Sequence, residues 1–290
     1  MIIVAEISLK TGSVTINFDD EIGRQIYSNI RLPRVLLGIM VGMNLALAGA
    51  ILQSILRNSL ADPHIIGVTS GAGLFGIIAL IYNLPVVPVG FLGAMLAVSV
   101  VLILGQGNKL ILAGVAVSSL FGAGITVVLL LNAEKVQGVL MYMAGSLSAR
   151  SWQEVQMIFP YTIAGFFLTI ILARRLNILE LGDEVATGLG LKVKTTRLLF
   201  VIIAGFLAAS AVSVAGMLGF VGLIMPHITR LIVGSDARIL IPCSAILGGA
   251  LVTACDTFAR TLFSPLELPV GLIMALLGSP FFLYLLHRQK

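Results

Sequence analysis

Long runs of apolar residues, separated by short polar intervals, dominate the pattern of the chain. These runs occupy residues 35–56, 65–82, 86–104, 110–131, 157–173, 198–214, 220–233, 239–254 and 270–286. Many approach the roughly 20 residues that a helix needs to cross a bilayer, and the shorter runs extend through mildly polar flanks. The pattern therefore predicts about nine membrane-spanning helices.

The runs have the character of helices rather than of barrel strands. Strands of a membrane barrel are segments of about ten residues with alternating polarity, whereas these runs are continuous and contain Gly and Ala at helical spacing. Residues 1–9 are apolar but short and contain Glu6, so we interpret them as the stub of a further helix. We predict an all-α polytopic membrane helix bundle of nine to ten spanning helices, with the first truncated, in one domain over residues 1–290.

The composition agrees with a multi-pass protein of the cell membrane. Hydrophobic residues make up 58% of the sequence and charged residues 11%, against roughly half and roughly a quarter in soluble domains. The net charge is +5, and the basic residues are dispersed among single loops. This dispersal indicates cytoplasmic loops and no nucleic-acid partner. Because more basic residues fall on the Arg57 side of the spans, we place that side in the cytoplasm.

Small and amide residues mark the first predicted span, 35–56. A small residue recurs at every fourth position, at Gly38, Gly42, Ala46, Ala50 and Ser54. Such a stripe lets a neighbouring backbone approach closely, either inside the bundle or at a subunit interface. Asn44 and Gln53 need hydrogen-bond partners in hydrocarbon, so these two amides either bond neighbouring helices or line a path.

The longest hydrophilic interval is 173–197, with the sequence ARRLNILELGDEVATGLGLKVKTTR. Its apolar residues are interrupted by Gly182, Gly188 and Gly190, which favour breaks between short elements. The interval predicts two short cytoplasmic helices. A solvated loop explains the same composition equally well.

The sequence contains no motif of an ATPase or of a recognised enzyme. The P-loop pattern G-x-x-x-x-G-K-[ST] does not occur, so this chain should not hydrolyse ATP by itself. The alternative function is an ion-coupled secondary transporter, which typically keeps ionisable groups at mid-membrane. Here nearly all charges fall at the ends of predicted spans. Asp256 and Arg260 lie one helical turn apart near such an end, a spacing that permits a local ion pair.

A set of longer motifs follows in a fixed order along the chain. They are RLPRVLLGIMVGMNLALAGAILQSILRNSLADPHIIGVTSGAG at 31–73, ILAGVAVSSL at 111–120, MAGSLSARSW at 143–152, GDEVATGLGLKV at 182–193, GFVGLIMPHITRLIVGSDARILIP at 219–242 and LELPVGLIMALLGSPFFLYLL at 266–286. With this ordered set the chain resembles the FecCD family of ABC importer permeases. Members of that family import iron siderophores, haem and cobalamin.

The resemblance implies a set of partners and an energy source. The expected assembly is a homodimer with a pore on its two-fold axis, two ATP-binding subunits and an extracytoplasmic substrate-binding protein. No cofactor or metal is expected in this subunit, since ATP and magnesium would bind the partner ATPase. The implied cargo is a metal chelate, and we rank an iron siderophore before haem and cobalamin on family breadth alone.

The resemblance also implies roles for residues at the two ends of the spans. Arg31, Arg34 and Arg260 match arginines that grip carboxylates of the binding protein, a task suited to bidentate and permanently charged guanidinium groups. Asn58 and Leu60 match positions of a cytoplasmic gate. In this chain Ser59 replaces the family proline between them, which restores a backbone N–H and frees φ.

The hydrophilic interval resembles the family's coupling loop, at about residues 176–197, which fits a cleft in the ATPase. The residues that match its pattern are Asp183, Glu184, Ala186, Gly188 and Gly190. A third set comes from the span 110–131, where hydroxyl side chains either face the path or bond their own helix. This set consists of Ser118, Ser119 and Thr126.

Overall fold

The computed structural model describes residues 1–12, 20–105 and 109–288. Within these ranges the chain forms a succession of α-helices, and a short π-helical segment, Tyr27–Arg31, joins the second to the third. The helices are α1 Ile2–Lys10, α2 Glu21–Ile26, α3 Leu32–Leu56, α4 Val68–Ile81, α5 Val86–Leu104, α6 Lys109–Leu131, α7 Val136–Ala144, α8 Trp152–Glu180, α9 Asp183–Gly188, α10 Val193–Ala215, α11 Val221–Val233, α12 Ala237–Thr261 and α13 Val270–Arg288.

The predicted spans correspond to observed helices. Among the described residues, six helical stretches are long and apolar enough to cross a membrane, and α4, α11 and α13 are shorter apolar helices. The six stretches are α5, α6, α8, α10, α12 and the continuous segment Glu21–Leu56 that contains α3. The all-α, multi-pass fold is confirmed, and α1, with nine residues, is the expected short first helix.

Helix α3 forms the centre of the bundle, and it packs against α8, α10, α11 and α12. A Cβ atom on Gly42 would collide with the carbonyl group of Gly248 on α12, and one on Gly38 would lie 3.2 Å from the Thr253 hydroxyl oxygen of the same helix. The small-residue stripe therefore packs against a neighbouring helix inside the bundle, which is the first of the two interpretations given for it. At about 1.5 Å per residue, the 25 residues of α3 extend roughly 37 Å.

Asn44, in the middle of α3, joins three helices. Its amide nitrogen donates hydrogen bonds to the hydroxyl oxygens of Thr162 on α8, at 2.9 Å, and Ser210 on α10, at 3.0 Å. Asn44 is fully buried. Of the two interpretations of this amide, bonding between helices is the one the structure shows.

The interval 173–197 differs from its predicted form. Helix α8 continues without a break to Glu180, so the interval contains one separate short helix, α9, instead of two. The reason is that no glycine or proline precedes Gly182 in this interval, while Leu176 and Leu179 are buried against the bundle. Helix α7 was not predicted, because its nine residues are too few to stand out as an apolar run.

Candidate functional site

A cavity of about 760 Å³, here called the main cavity, opens at the surface of the bundle. Its lining comes from the segment before α4, the end of α7, the segment before α11 with the first turn of α11, and α13. The residues are Leu60, Asp62, His64, Ile65, Met143, Ala144, Met217, Gly219, Phe220, Leu223, Gly271, Leu272, Ala275 and Phe282. Most of this surface is apolar, so the cavity offers a smooth wall with few polar groups.

A second cavity, of about 460 Å³, shares His64, Ile65 and Met217 with the main cavity. We call it the side cavity. Ser118 and Ser119 of α6 line it, together with Thr69, Ser70 and Val115. Of the three hydroxyl residues predicted on α6, two line this cavity and the third bonds its own helix. The Thr126 hydroxyl donates to the carbonyl oxygen of Gly122 at 3.2 Å, and Thr126 is not part of either lining.

The segment Arg57–Ala61, here called the gate loop, connects α3 to the wall of the main cavity. The Asn58 side-chain oxygen accepts a hydrogen bond from the backbone N–H of Leu60 at 2.9 Å. The Asn58 carbonyl oxygen accepts another from the N–H of Ala61 at 3.1 Å. These bonds fold the loop back on itself. The bond from Asn58 holds the backbone of Leu60, and Leu60 lines the cavity. The structure thus brings the two predicted gate residues together beside the cavity.

Helix α9 lies at the same end of α3 as the gate loop, an end we call the α9 end. Gly182 precedes it with φ of +111° and Gly190 follows it with φ of +82°, backbone conformations that suit glycine. Ala186 is fully buried, whereas Glu184 and Gly188 are exposed. The two glycines end the neighbouring segments sharply, so α9 stands as a separate short helix.

Asp183, the first residue of α9, is bonded to two other segments. One of its carboxylate oxygens accepts from the guanidinium groups of Arg57 and of Arg197 on α10, the latter at 2.9 Å. A further bond at this end joins α8 to the start of α12, where the Asn177 amide donates to Asp236 at 2.7 Å. This bond, with the backbone N–H of Arg238, holds the pKa of Asp236 below its usual value.

The opposite end of α3 holds a buried cluster of charges, here called the arginine end. Arg34 donates two hydrogen bonds of 2.9 Å to the carboxylate of Asp256 on α12. It donates a third, of 2.7 Å, to Glu267, which also accepts from the Ser148 hydroxyl at 3.3 Å. Arg34 is 6% exposed and Asp256 is 3% exposed, so this ion pair is withdrawn from water.

The other two arginines of this end bind the carboxyl end of α1. Arg31 donates to the carbonyl oxygens of Leu9 and Lys10, at 3.1 and 3.0 Å. Arg260 donates to the carbonyl and hydroxyl oxygens of Ser8. Both arginines are buried, as is Arg34. In this conformation the predicted docking residues contact their own chain, and their docking role stays a prediction.

The local ion pair that the spacing of Asp256 and Arg260 permits is not the pair that Asp256 forms in the structure. Both carboxylate oxygens of Asp256 instead accept from Arg34, 222 residues earlier in the chain. The reason is that α3 packs against α12, which brings the guanidinium group of Arg34 to both carboxylate oxygens, while Arg260 donates to Ser8 instead. Arg260 is left to bind the α1 backbone.

Several residues of the two cavities were not predicted from the sequence. His64 lies in the polar interval between the first two predicted spans, and Thr69 and Ser70 are polar residues near the start of the second span, which was a usable signal. Met217 lines both cavities, although a methionine in an apolar chain usually indicates packing. Nothing in its local sequence distinguishes it from the other methionines.

Known proteins with similar sequence and structure agree on one family. A model of the FecCD transport family matches residues 1–288. The chain is 41% identical to the cobalamin import system permease protein BtuC of Halobacterium salinarum, over 93% of this chain and 75% of that protein. It is 39% identical to the hemin transport system permease protein HmuU of Yersinia pestis, over 91% of this chain and 84% of that protein.

A solved structure described as an inward-facing conformation of a metal-chelate type ABC transporter has the same fold. Its TM-score is 0.92 at 32% identity, and the match covers 99% of this chain and 96% of the other. The chain belongs to the FecCD transport family and is a multi-pass permease of the cell membrane.

Proposed function

We propose that the chain is the translocating subunit of an ATP-driven importer that carries a metal chelate into the cytoplasm. It works as a homodimer with two ATP-binding subunits and an extracytoplasmic substrate-binding protein. The main cavity and the side cavity form part of the path, and Leu60 closes that path at the α9 end. The family and the names of its relatives support a metal chelate as cargo.

The observation that carries this proposal is the position of α9. Val185 of α9 is 50% exposed, and the two leucines that flank this helix, Leu181 and Leu189, are 60% and 62% exposed. Three exposed apolar side chains in and directly beside a short helix are suited to contact with a protein partner rather than with water. Because Asp183 of α9 bonds Arg57 of the gate loop, a partner that moves α9 acts close to the path.

A second copy of the chain completes the path in this proposal. Ser118 and Ser119 of α6 line the side cavity, which is open at the surface of the single chain. Helix α6 also exposes large apolar side chains at Leu112, Leu120 and Leu130. A closed conduit needs a facing wall, and a second copy related by two-fold symmetry supplies one.

The cargo class follows from the relatives and agrees with the cavity wall. Relatives are described as permeases for cobalamin, hemin and ferric citrate. The main cavity is wide and mainly apolar, so it holds a bulky chelate without trapping it through many hydrogen bonds. Family breadth favours an iron siderophore among these chelates.

Docking of the binding protein is assigned to the arginine end. Arg31, Arg34 and Arg260 lie there together, and arginine pairs well with carboxylates because two parallel bonds form. In this proposal carboxylates of the binding protein replace part of the present intramolecular contacts, above all the α1 carbonyl groups that bind Arg31 and Arg260.

The test is the ATPase rate of the purified chain assembled with its ATPase and binding protein in liposomes. We expect the loaded binding protein to change that rate, and the empty binding protein to change it less. A panel of ferric hydroxamate, hemin and cobalamin on the binding protein then identifies the cargo. An ATPase rate that does not respond to any loaded binding protein would defeat the proposal.

A further inference from the structure

The gate loop is tied at both of its ends to the junction between α8 and α9. This junction, Glu180–Asp183, carries a carboxylate at each end, Glu180 as the last residue of α8 and Asp183 as the first of α9. The two carboxylates reach the gate loop by different routes. Each route includes a side-chain bond between segments that are far apart in the chain.

The first route starts at Arg57, which is the C-terminal cap of α3 and has a left-handed backbone, φ 49° and ψ 40°. This conformation turns the chain out of the helix and directs Arg57 towards α9. Its guanidinium group donates to Asp183, which Arg197 of α10 holds from the other side at 2.9 Å. A Cβ atom on Gly182 would lie 3.5 Å from the Arg57 guanidinium, so the arginine packs directly over the junction.

The second route passes through Gln53, which is 2% exposed. The Gln53 amide nitrogen donates to the carbonyl oxygen of Ala61, at 3.4 Å, and to that of Leu223, at 3.2 Å. Its oxygen accepts from Arg230 of α11 at 3.0 Å. Arg230 in turn forms an ion pair with Glu180 at 3.8 Å. The far end of the gate loop is thus also connected to the junction.

The geometry points to a clamp, and we propose that Glu180 and Asp183 transmit the movement of α9 to the gate loop through these two routes. Within the proposed function, on which this inference rests, five side chains are positioning residues: Arg57, Asp183, Gln53, Arg230 and Glu180. They do not touch the cargo. They fix where Leu60 stands when α9 moves.

Two features of the clamp suit transmission rather than stability. The Arg57 and Asp183 side chains are 43% and 49% exposed, and ion pairs between exposed groups contribute little to stability. Because the gate loop is bonded to the junction near both of its ends, we expect the whole loop to move with the junction. A bond at one end only would let the loop rotate about that end. The fully buried stretch of α3 before Gln53 gives the loop a fixed base.

The clamp is tested by the number of chelate molecules imported per ATP hydrolysed, measured in liposomes with the complete transporter. Arg57→Gln cuts the first route, Glu180→Gln cuts the second, and the double variant cuts both. We expect the ratio to fall roughly three- to tenfold in the double variant, and less in either single variant, while ATP hydrolysis continues. Arg238→Gln is the matched control, since it removes the same charge from an exposed position at the α9 end outside the clamp.

A merely structural role of these residues predicts a lower unfolding temperature and an unchanged ratio in the transporters that remain folded. The clamp is overturned if the double variant, with its ATPase still bound, imports as many chelate molecules per ATP as the wild type. That result leaves the proposed function standing, because the wild type still transports. Wild-type vesicles that show no ATP-dependent import would instead overturn the proposed function, and the clamp with it.

Discussion

Replacing Asp256 by asparagine removes the negative partner of a buried guanidinium group. Arg34 keeps its bond to Glu267 but loses a carboxylate that accepts two bonds of 2.9 Å. The remaining positive charge is 6% exposed, so water cannot replace the lost carboxylate. Breaking a buried ion pair by removing one partner costs about 3 to 5 kcal/mol. We take about 3 kcal/mol for Asp256→Asn, because Glu267 still compensates part of the charge.

The assay is unfolding of the purified chain in detergent micelles, by SDS titration for the free energy and by heating for the midpoint temperature. A loss of about 3 kcal/mol corresponds to a midpoint roughly 6 to 12 °C lower for a chain of this size. Glu6→Gln is the control, since it removes a carboxylate from an exposed pair with Lys10 and should leave the midpoint unchanged. Replacing the pair together, by Arg34→Met with Asp256→Leu, should restore most of the lost stability.

The result that would refute this reasoning is an Asp256→Asn variant within about 0.5 kcal/mol of the wild type. The arginine end would then not depend on a desolvated ion pair. Arg34 would be available to a binding protein without any loss of internal stability. A large loss for the single variant, together with recovery in the apolar pair, separates the cost of an uncompensated charge from a general packing defect.

Three further predictions concern packing, polar contacts and the gate. Gly42→Val should destabilise the bundle by roughly 2 kcal/mol in the same titration, since its side chain meets a backbone carbonyl. Gly122→Ala is the control, with nothing within 4 Å of the added Cβ atom, and should be neutral or stabilising. Asn44→Ala should cost roughly 1 kcal/mol, as interhelical hydrogen bonds in membrane bundles do. Asn58→Ala with Leu60→Ala should let chelate leak from vesicles without ATP, and a tight variant would count against the gate.

The helical layout could be predicted from the sequence because it depends on local quantities. Run length and composition decide whether a segment crosses a bilayer, and these are visible in any window of the chain. The same local logic explains the end of α8, where Gly182 is the first strong break after a long apolar stretch. It also explains why α7 was missed, since a nine-residue helix has no spanning signal of its own.

The site depended on pairings that no local window contains. Arg34 and Asp256 are 222 residues apart, and Arg57 and Asp183 are 126 residues apart. The sequence indicated charged residues at the ends of spans but not which of them meet. Local spacing permitted a pair between Asp256 and Arg260, yet the bundle places α3 beside α12, so the carboxylate pairs with the guanidinium group of Arg34 instead.

The most direct test of the proposed function is chelate uptake by vesicles that contain the chain with its ATPase and binding protein, driven in two separate ways. One set receives ATP without any ion gradient, and the other receives a proton or sodium gradient without ATP. The account predicts accumulation of the chelate with ATP alone and none with the gradient alone. Accumulation driven by the gradient in the absence of ATP would contradict it and identify a secondary transporter.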